Sequence, residues 1–321
     1  MNFSSIEKLN EKSSFRELHA AEKVLELHKK GLTSLEGISA SHSHLRKISL
    51  KNNSLVNLNG IQGLKELKTL WIEKETALVS IKEIERLPSL EFLDIRDKNL
   101  NYFVNENLKL SKLQNLTIIT PSNLPNLEFL KGCLNITELY IECNTLLSIK
   151  GIEKLKNLKT LSIHGNLSSL NGVEGLLNLE VLDCSNNNLS SLEAIRNLTN
   201  LRELKCEYNK LVSLEAISNL TNLIKLSCEG NNLSSLTEIV SLRNLEELVF
   251  LAFDIKDELR SKYSHFLESR YTTGVHAKNF HGDDDLTKFM TVLMIEAHLK
   301  PGDERRGEAS IMDTGLFDFK I

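Results

Sequence analysis

Between Leu179 and Leu233 the apolar positions recur with a period of 22 residues. LEVLDCSNNNLSSLEAIRNLTN is followed by LRELKCEYNKLVSLEAISNLTN and then by LIKLSCEGNNLSSL. Each block opens on a leucine (Leu179, Leu201, Leu223), taken here as position one. Apolar residues follow at position four (Leu182, Leu204, Leu226), position six (Cys184, Cys206, Cys228) and position eleven (Leu189, Leu211, Leu233). The alternation around positions four to six predicts a short strand, with Leu204 and Cys206 on one side and Glu203, Lys205 and Glu207 on the other. One such strand cannot bury its apolar side alone, so the blocks must stack on one another. Further along each block Leu214, Ile217 and Leu220 recur every third residue, the spacing of a 3-10 turn or a single helical turn. Strands packed at about 4.8 Å form the compressed edge of such a stack. The pattern therefore predicts a curved α/β solenoid with strands on the concave face and short turns on the convex face.

The same pattern extends over residues 22–253. After a degenerate first block around Leu25, Leu27 and Leu32, blocks open at Leu45, Leu67, Leu90, Leu113, Ile136, Leu158, Leu179, Leu201, Leu223 and Leu245, eleven in all. Position nine is asparagine in six of them: Asn53, Asn144, Asn166, Asn187, Asn209 and Asn231. An amide there has the donors and the acceptor to satisfy backbone groups that no water reaches, so these six are expected to form a buried ladder. Glu75 and Pro121 stand at that position in the blocks opening at Leu67 and Leu113, and looser turns are expected over 74–78 and 119–125.

The repeat LxxLxLxxNxL with a 22-residue period resembles the leucine-rich repeats of the internalins of bacterial pathogens and of the leucine-rich regulatory subunit of protein phosphatase 1. The resemblance implies a leucine-rich repeat array, and a scaffold that binds a protein partner on its concave face. The ends of the chain read differently. Residues 1–21 carry two capping-box patterns, Ser4 with Glu7 and Ser14 with Glu17, and are expected to form an N-terminal helical cap. Residues 254–300 are expected to form a C-terminal helical cap: an amphipathic helix over 254–270, a polar linker over 271–284 and an apolar helix from Leu286 to Leu299. The last stretch, 301–321, is expected to be a mobile tail.

The register also picks out the side chains of the concave face, at positions two, three, five, seven and eight. They include Trp71, Phe92, Asp94, Arg96, Tyr140, Glu142, His164, Asp183, Glu207, Tyr208 and Glu229, the candidate partner-binding set. Exposed aromatics and arginine dominate interface hot spots; the competing reading is that the aromatics cover the stems of their neighbours. Charge is sorted along the face, with His28, Lys29, Arg46, Lys47, Lys51 and Lys68 early and Glu138, Glu142, Glu180, Asp183, Glu207 and Glu229 late. Such a field would steer a partner.

Chemistry adds little. A net charge of −4 offers no global attraction to nucleic acid. The five cysteines lack a CxxC pair, and Cys184, Cys206 and Cys228 read as small core residues. His281 with Asp283, Asp284 and Asp285 could ligate a metal, but an acidic run before an apolar helix reads better as a cap. His164 beside Glu142 could carry a proton but has no nucleophile partner. No phosphate loop, nucleophile elbow or zinc signature is present, so no catalytic residue, metal or cofactor is expected. The expected function is a non-catalytic scaffold for another protein, without nucleic-acid partner or membrane span, monomeric and cytoplasmic. The alternative is a bacterial effector-like protein, exported without a signal peptide, whose segment 255–321 carries the activity or the delivery signal.

Overall fold

The computed structural model describes residues 23–38, 42–75, 77–98, 107–121, 124–234, 237–250 and 275–278. The chain forms two compact units, Met1–Leu167 with Asn171–Asn178, and Ser168–Leu170 with Leu179–Ile321. The caps expected over 1–21 and 254–300 and the tail 301–321 lie outside the described residues, apart from 275–278.

In the first unit seven strands follow one another: β1 Val24–His28, β2 Lys47–Lys51, β3 Thr69–Glu73, β4 Phe92–Arg96, β5 Asn115–Ile119, β6 Glu138–Glu142 and β7 Thr160–His164. Each pairs in parallel with the next, and equal repeat positions face each other: Ser49 opposite Trp71, Trp71 opposite Asp94, Thr117 opposite Tyr140. In the second unit β8 Val181–Asp183, β9 Glu203–Lys205, β10 Lys225–Ser227 and β11 Glu247–Phe250 pair in the same parallel sense. Strand β12, Val275–Lys278, then runs antiparallel to β11. It lies within the stretch read from the sequence as a linker. Its pairing supplies partners for backbone groups that β11 would otherwise present at an open edge.

The repeat positions explain the core. Among the described residues, positions one, four and six are almost wholly buried, and so is position eleven where it is leucine, as with Leu201, Leu204, Cys206 and Leu211; in the coils opening at Leu67 and Leu158 the neighbouring Leu78 and Leu167 are buried in its place. Within each unit their side chains form the apolar interior of the coils. The period-three stretch forms 3-10 turns, among them Lys82–Arg86, Glu128–Gly132 and Ile152–Lys154 in the first unit and Glu193–Ile195 and Glu215–Ile217 in the second. Chain reversal over so few residues leaves no room for a full α-helix.

The asparagine ladder divides by turn type. In the coils opening at Leu45, Leu67, Leu179, Leu201 and Leu223, position eight is left-handed: Asn52 (φ 53°), Lys74 (58°), Asn186 (56°), Tyr208 (50°) and Gly230 (69°). That turn sends side chain eight outward and side chain nine into the stack. Asn209 accepts from the Leu189 N–H (2.9 Å) and donates to the carbonyls of Cys184 (3.0 Å), Cys206 (3.1 Å) and Glu207 (3.0 Å). Asn231 repeats this arrangement one coil on, with Leu211 N–H and the Cys206, Cys228 and Glu229 carbonyls. Asn187 and Asn53 are buried in the same way. Replacing Asn209 with alanine orphans one buried N–H and up to three carbonyls, and is expected to cost about 1–3 kcal/mol in urea unfolding.

Asn144 and Asn166 do not belong to that buried ladder: both are exposed. In the coils opening at Leu90, Leu113, Ile136 and Leu158, position eight is not left-handed. There the eighth side chain turns inward, burying Asp97, Thr120 and Cys143, and the ninth turns out. The coil opening at Leu158 is one residue shorter, and Gly165 lies where a Cβ would come 2.7 Å from the Cys143 carbonyl oxygen. Asn166 still donates its amide to the Asn144 carbonyl, but on the surface.

The looser turn expected at 74–78 is also corrected. Glu75 is fully buried, and its carboxylate accepts from the Asn53 N–H (2.8 Å), the Asn53 amide (3.0 Å) and the Leu55 N–H (3.3 Å). One methylene longer than asparagine and with two oxygens, it closes the rung by acceptance alone. Around 119–125 the turn opens on a buried Thr120 whose N–H donates to the Glu142 carbonyl (2.9 Å), while residues 122 and 123 lie outside the described residues.

Candidate functional site

On the strand face of the first unit the candidate residues form two groups. Trp71 and Phe92, on neighbouring strands, pack with ring centroids 5.8 Å apart and planes tilted by 56°. Both are partly buried. Such tilted pairs contribute beyond the area they bury. Asp94, opposite Trp71, is only 5% exposed, because Arg96 folds back over it with two hydrogen bonds of 2.9 Å each. The Asp94 carboxylate raises the Arg96 pKa further above its usual value, so the guanidinium is a fixed, exposed cation. Asp94 is thus covered by Arg96, whose own side chain is 52% exposed.

The second group lies on β6 and β7. Tyr140 and His164 approach with ring centroids 5.7 Å apart. The Tyr140 hydroxyl donates to Glu142 Oε2 (3.1 Å), and His164 Nε2 shares a hydrogen bond with Ser162 Oγ (2.9 Å). Glu142 faces His164 in register, yet each side chain takes a partner on its own strand. Ser162 thus stands within hydrogen-bonding reach of His164, a hydroxyl partner that the sequence reading of His164 did not pick out.

Ahead of the aromatic pair lies a basic stretch. Lys51 forms an ion pair with Glu73 (2.7 Å), which Lys74 approaches from the other side (3.5 Å). Hydrogen bonding to Lys51 holds the Glu73 carboxyl below its ordinary range. Lys68 pairs with Glu91 (2.8 Å) and Lys23 with Glu66 (3.2 Å).

On the second unit the strand face is more acidic. Glu207 accepts from both Ser185 and Ser227, so one carboxylate ties three neighbouring strands' faces together. Tyr208 is 52% exposed and donates to Glu229 (3.0 Å), while Asp183 accepts from the Ser185 N–H (3.0 Å). Lys205 pairs with Glu203 (3.2 Å), which raises the lysine pKa. Cys184, Cys206 and Cys228 are buried and unoxidised, and burial pushes the thiols of Cys184 and Cys206 well up. They are poor nucleophiles near neutral pH.

Sequence reasoning missed an external ladder at the residue before the opening position of the later coils, from Asn135 on. In the first unit Asn135, Asn157 and Asn178 donate to the carbonyls of Ser111 (2.6 Å), Leu134 (3.1 Å) and Lys156 (2.9 Å). In the second, Asn222 and Asn244 donate to those of Thr199 and Thr221, both at 2.8 Å. The recurrent Asn-Leu dipeptide is its signal. Among the described residues no group of three or more His, Cys, Asp or Glu could hold a metal ion, and no helix is long and apolar enough to cross a membrane. Except for His276, whose side chain is not described, the His and Asp residues of 276–285 lie outside the described residues.

Comparison with known proteins fits this geometry. Residues 177–219 match the family of leucine-rich repeats in two copies. A solved leucine-rich repeat protein of Leptospira interrogans is 26% identical, with a TM-score of 0.51, over 68% of this chain and 64% of that one. The chain is a leucine-rich repeat protein. An internalin (inlF) of Listeria monocytogenes shares the fold at 17% identity and a TM-score of 0.55, over 79% of this leucine-rich repeat chain and 81% of its own. The functional domain of InlJ from the same organism, described as including a cysteine ladder, shares it at 21% identity and a TM-score of 0.54, over 71% and 48% of the two chains. A protein of Arabidopsis thaliana named for disease resistance is 29% identical over 150 residues, 43% of this chain. That match spans only 16% of the curated relative's length.

Proposed function

We propose that this leucine-rich repeat protein is a non-catalytic scaffold that holds another protein against the strand face of its first unit. Leucine-rich repeat proteins mediate protein–protein interaction. The observation that carries the reading here is the Trp71–Phe92 pair, two large aromatics packed on each other and only partly buried on the strand face. Neither ring is needed to fill the core, which the residues at positions one, four, six and eleven already complete. The fixed Arg96 guanidinium and the Tyr140–His164 pair extend the same face with groups that favour hot spots.

The test is crosslinked capture with the full chain and with a Trp71→Ala/Tyr140→Ala variant. These side chains lie outside the core, so the melting temperature should stay close to that of the parent. A partner identified with the parent should be lost with the variant, an affinity drop of about 2–4 kcal/mol for two hot-spot residues. Equal capture by parent and variant would remove the strand face of the first unit as the working surface.

A further inference from the structure

The polar residues beside Trp71 specify what kind of segment this face accepts. On β2 the side chains at positions three, five and seven are Lys47, Ser49 and Lys51, and Ser49 stands opposite Trp71. Ser49 is small, and its Oγ shares a hydrogen bond with His28 Nε2 (3.0 Å) from β1, on the side away from Trp71, while Phe92 backs the Trp71 ring from the far side. The two lysines flank Ser49, each two residues from it along the strand, about 6.6 Å at strand rise. Lys47 is exposed, and it and Lys29 make no ion pair among the described residues. Lys51 and Lys74 share the single carboxylate Glu73, so the pairing leaves a positive excess. This stretch is cationic within a chain whose net charge is −4. On the other side of Ser49 from Trp71 lies Glu26, which disfavours a carboxylate over the serine itself.

Resting on the function proposed above, we infer that the strip of Lys47, Ser49 and Lys51 beside Trp71 takes an extended acidic segment of a partner protein. Its residues alternate acidic, apolar, acidic on one side. The apolar side chain packs on the Trp71 flank above Ser49, and the two carboxylates reach Lys47 and Lys51. An extended chain laid along β2 directs every second side chain to one face, and the spacing of those side chains equals that of Lys47, Ser49 and Lys51. A nucleic acid fits less well. Its phosphates form an unbroken anionic row, and Glu26 and Glu73 interrupt the row of cations it would need.

The protein supplies its own reporter, because Trp71 is its only tryptophan. The full chain is titrated with a short peptide carrying leucine between two second-neighbour glutamates, and Trp71 emission is followed. Control probes have lysine for both glutamates, alanine for the leucine, or are short single-stranded oligonucleotides. The acidic peptide should bind at least roughly tenfold tighter than the lysine and alanine controls. Raising the salt from about 0.05 M to about 0.5 M should weaken it several-fold. Lys47→Glu/Lys51→Glu should abolish the preference, and Lys47→Ala/Lys51→Ala should reduce it, with unchanged melting confirming the fold of each. Equal binding of the acidic and lysine peptides would overturn the inference, as would tighter binding of the oligonucleotide. A captured partner that is lost with Trp71→Ala/Tyr140→Ala but kept by both lysine variants would also overturn it, while leaving the proposed scaffold function intact. A partner kept by all three variants would overturn both.

Discussion

Gly151→Ala should destabilise the protein by about 4 kcal/mol, the combined cost of a strained backbone and an overpacked contact. Gly151 precedes the 3-10 turn Ile152–Lys154 with φ 107° and ψ −24°, and its N–H donates to Glu153 Oε2 (2.7 Å). A Cβ there would lie 2.5 Å from the Leu127 carbonyl oxygen and 2.7 Å from the Glu128 nitrogen, both backbone atoms of the preceding coil. Neither can rotate away as a side-chain tip could, so two coils would have to separate. Gly31 is the control: it also has positive φ (65°), but nothing lies within 4 Å of its added Cβ. Gly31→Ala should therefore cost only about 1 kcal/mol, the left-handed backbone term without the clash. Urea unfolding of the two variants separates strain from collision. Equal losses would mean that the coils are not in contact at Gly151.

These glycines mark where the sequence stops being readable. The period told which residues are buried, because positions one, four and six, and eleven where it is leucine, form the apolar interior of the coils within each unit. It also told which side chains share the strand face, since alternation fixes the side of every strand residue. What it could not tell is the turn. Asn144 and Asn187 occupy the same repeat position, yet one is exposed and the other buried. The difference lies one residue earlier, in the backbone of Cys143 and Asn186, where Asn186 tolerates the left-handed region and Cys143 instead buries its side chain. Composition at position nine carries no trace of that choice, and position eight only part of one: Lys74 and Tyr208 are left-handed, while Gly165 is not.

The candidate face was legible to the same depth. Trp71, Phe92, Arg96 and Tyr140 were assigned to it by register alone. That Asp94 disappears under Arg96, and that Glu142 turns to Tyr140 rather than to His164, depends on side-chain directions within one strand, which a repeat pattern does not encode.

Glu75 joins these two lessons, since it looks like a missing rung and acts as a substitute for one. Glu75→Ala leaves three donors in the buried turn (the N–H groups of Asn53 and Leu55 and one bond of the Asn53 amide) without their acceptor. At about 1–3 kcal/mol for each buried group left unmade, less the relief of no longer burying a carboxylate, the net cost should be about 3 kcal/mol. Glu75→Asn should recover most of it, because an asparagine oxygen can reach the Leu55 N–H as Asn209 reaches that of Leu189. The charge adds a pH dependence. Burial raises the Glu75 pKa above 4.5, the Asn53 and Leu55 hydrogen bonds partly oppose that rise, and the nearby Asp97 adds to it. A carboxyl whose pKa is higher folded than unfolded binds more protons in the folded state. Its contribution to stability is therefore greatest below about 4.5 and declines as pH rises through the folded value. Glu75→Gln removes that titration while keeping the shape. The stability difference between parent and Glu75→Gln, measured by urea unfolding from about pH 4 to about pH 8, should shift against the parent as pH rises. A difference that stays flat across that range would show that Glu75 titrates alike in both states, and that the rung holds its charge at no cost.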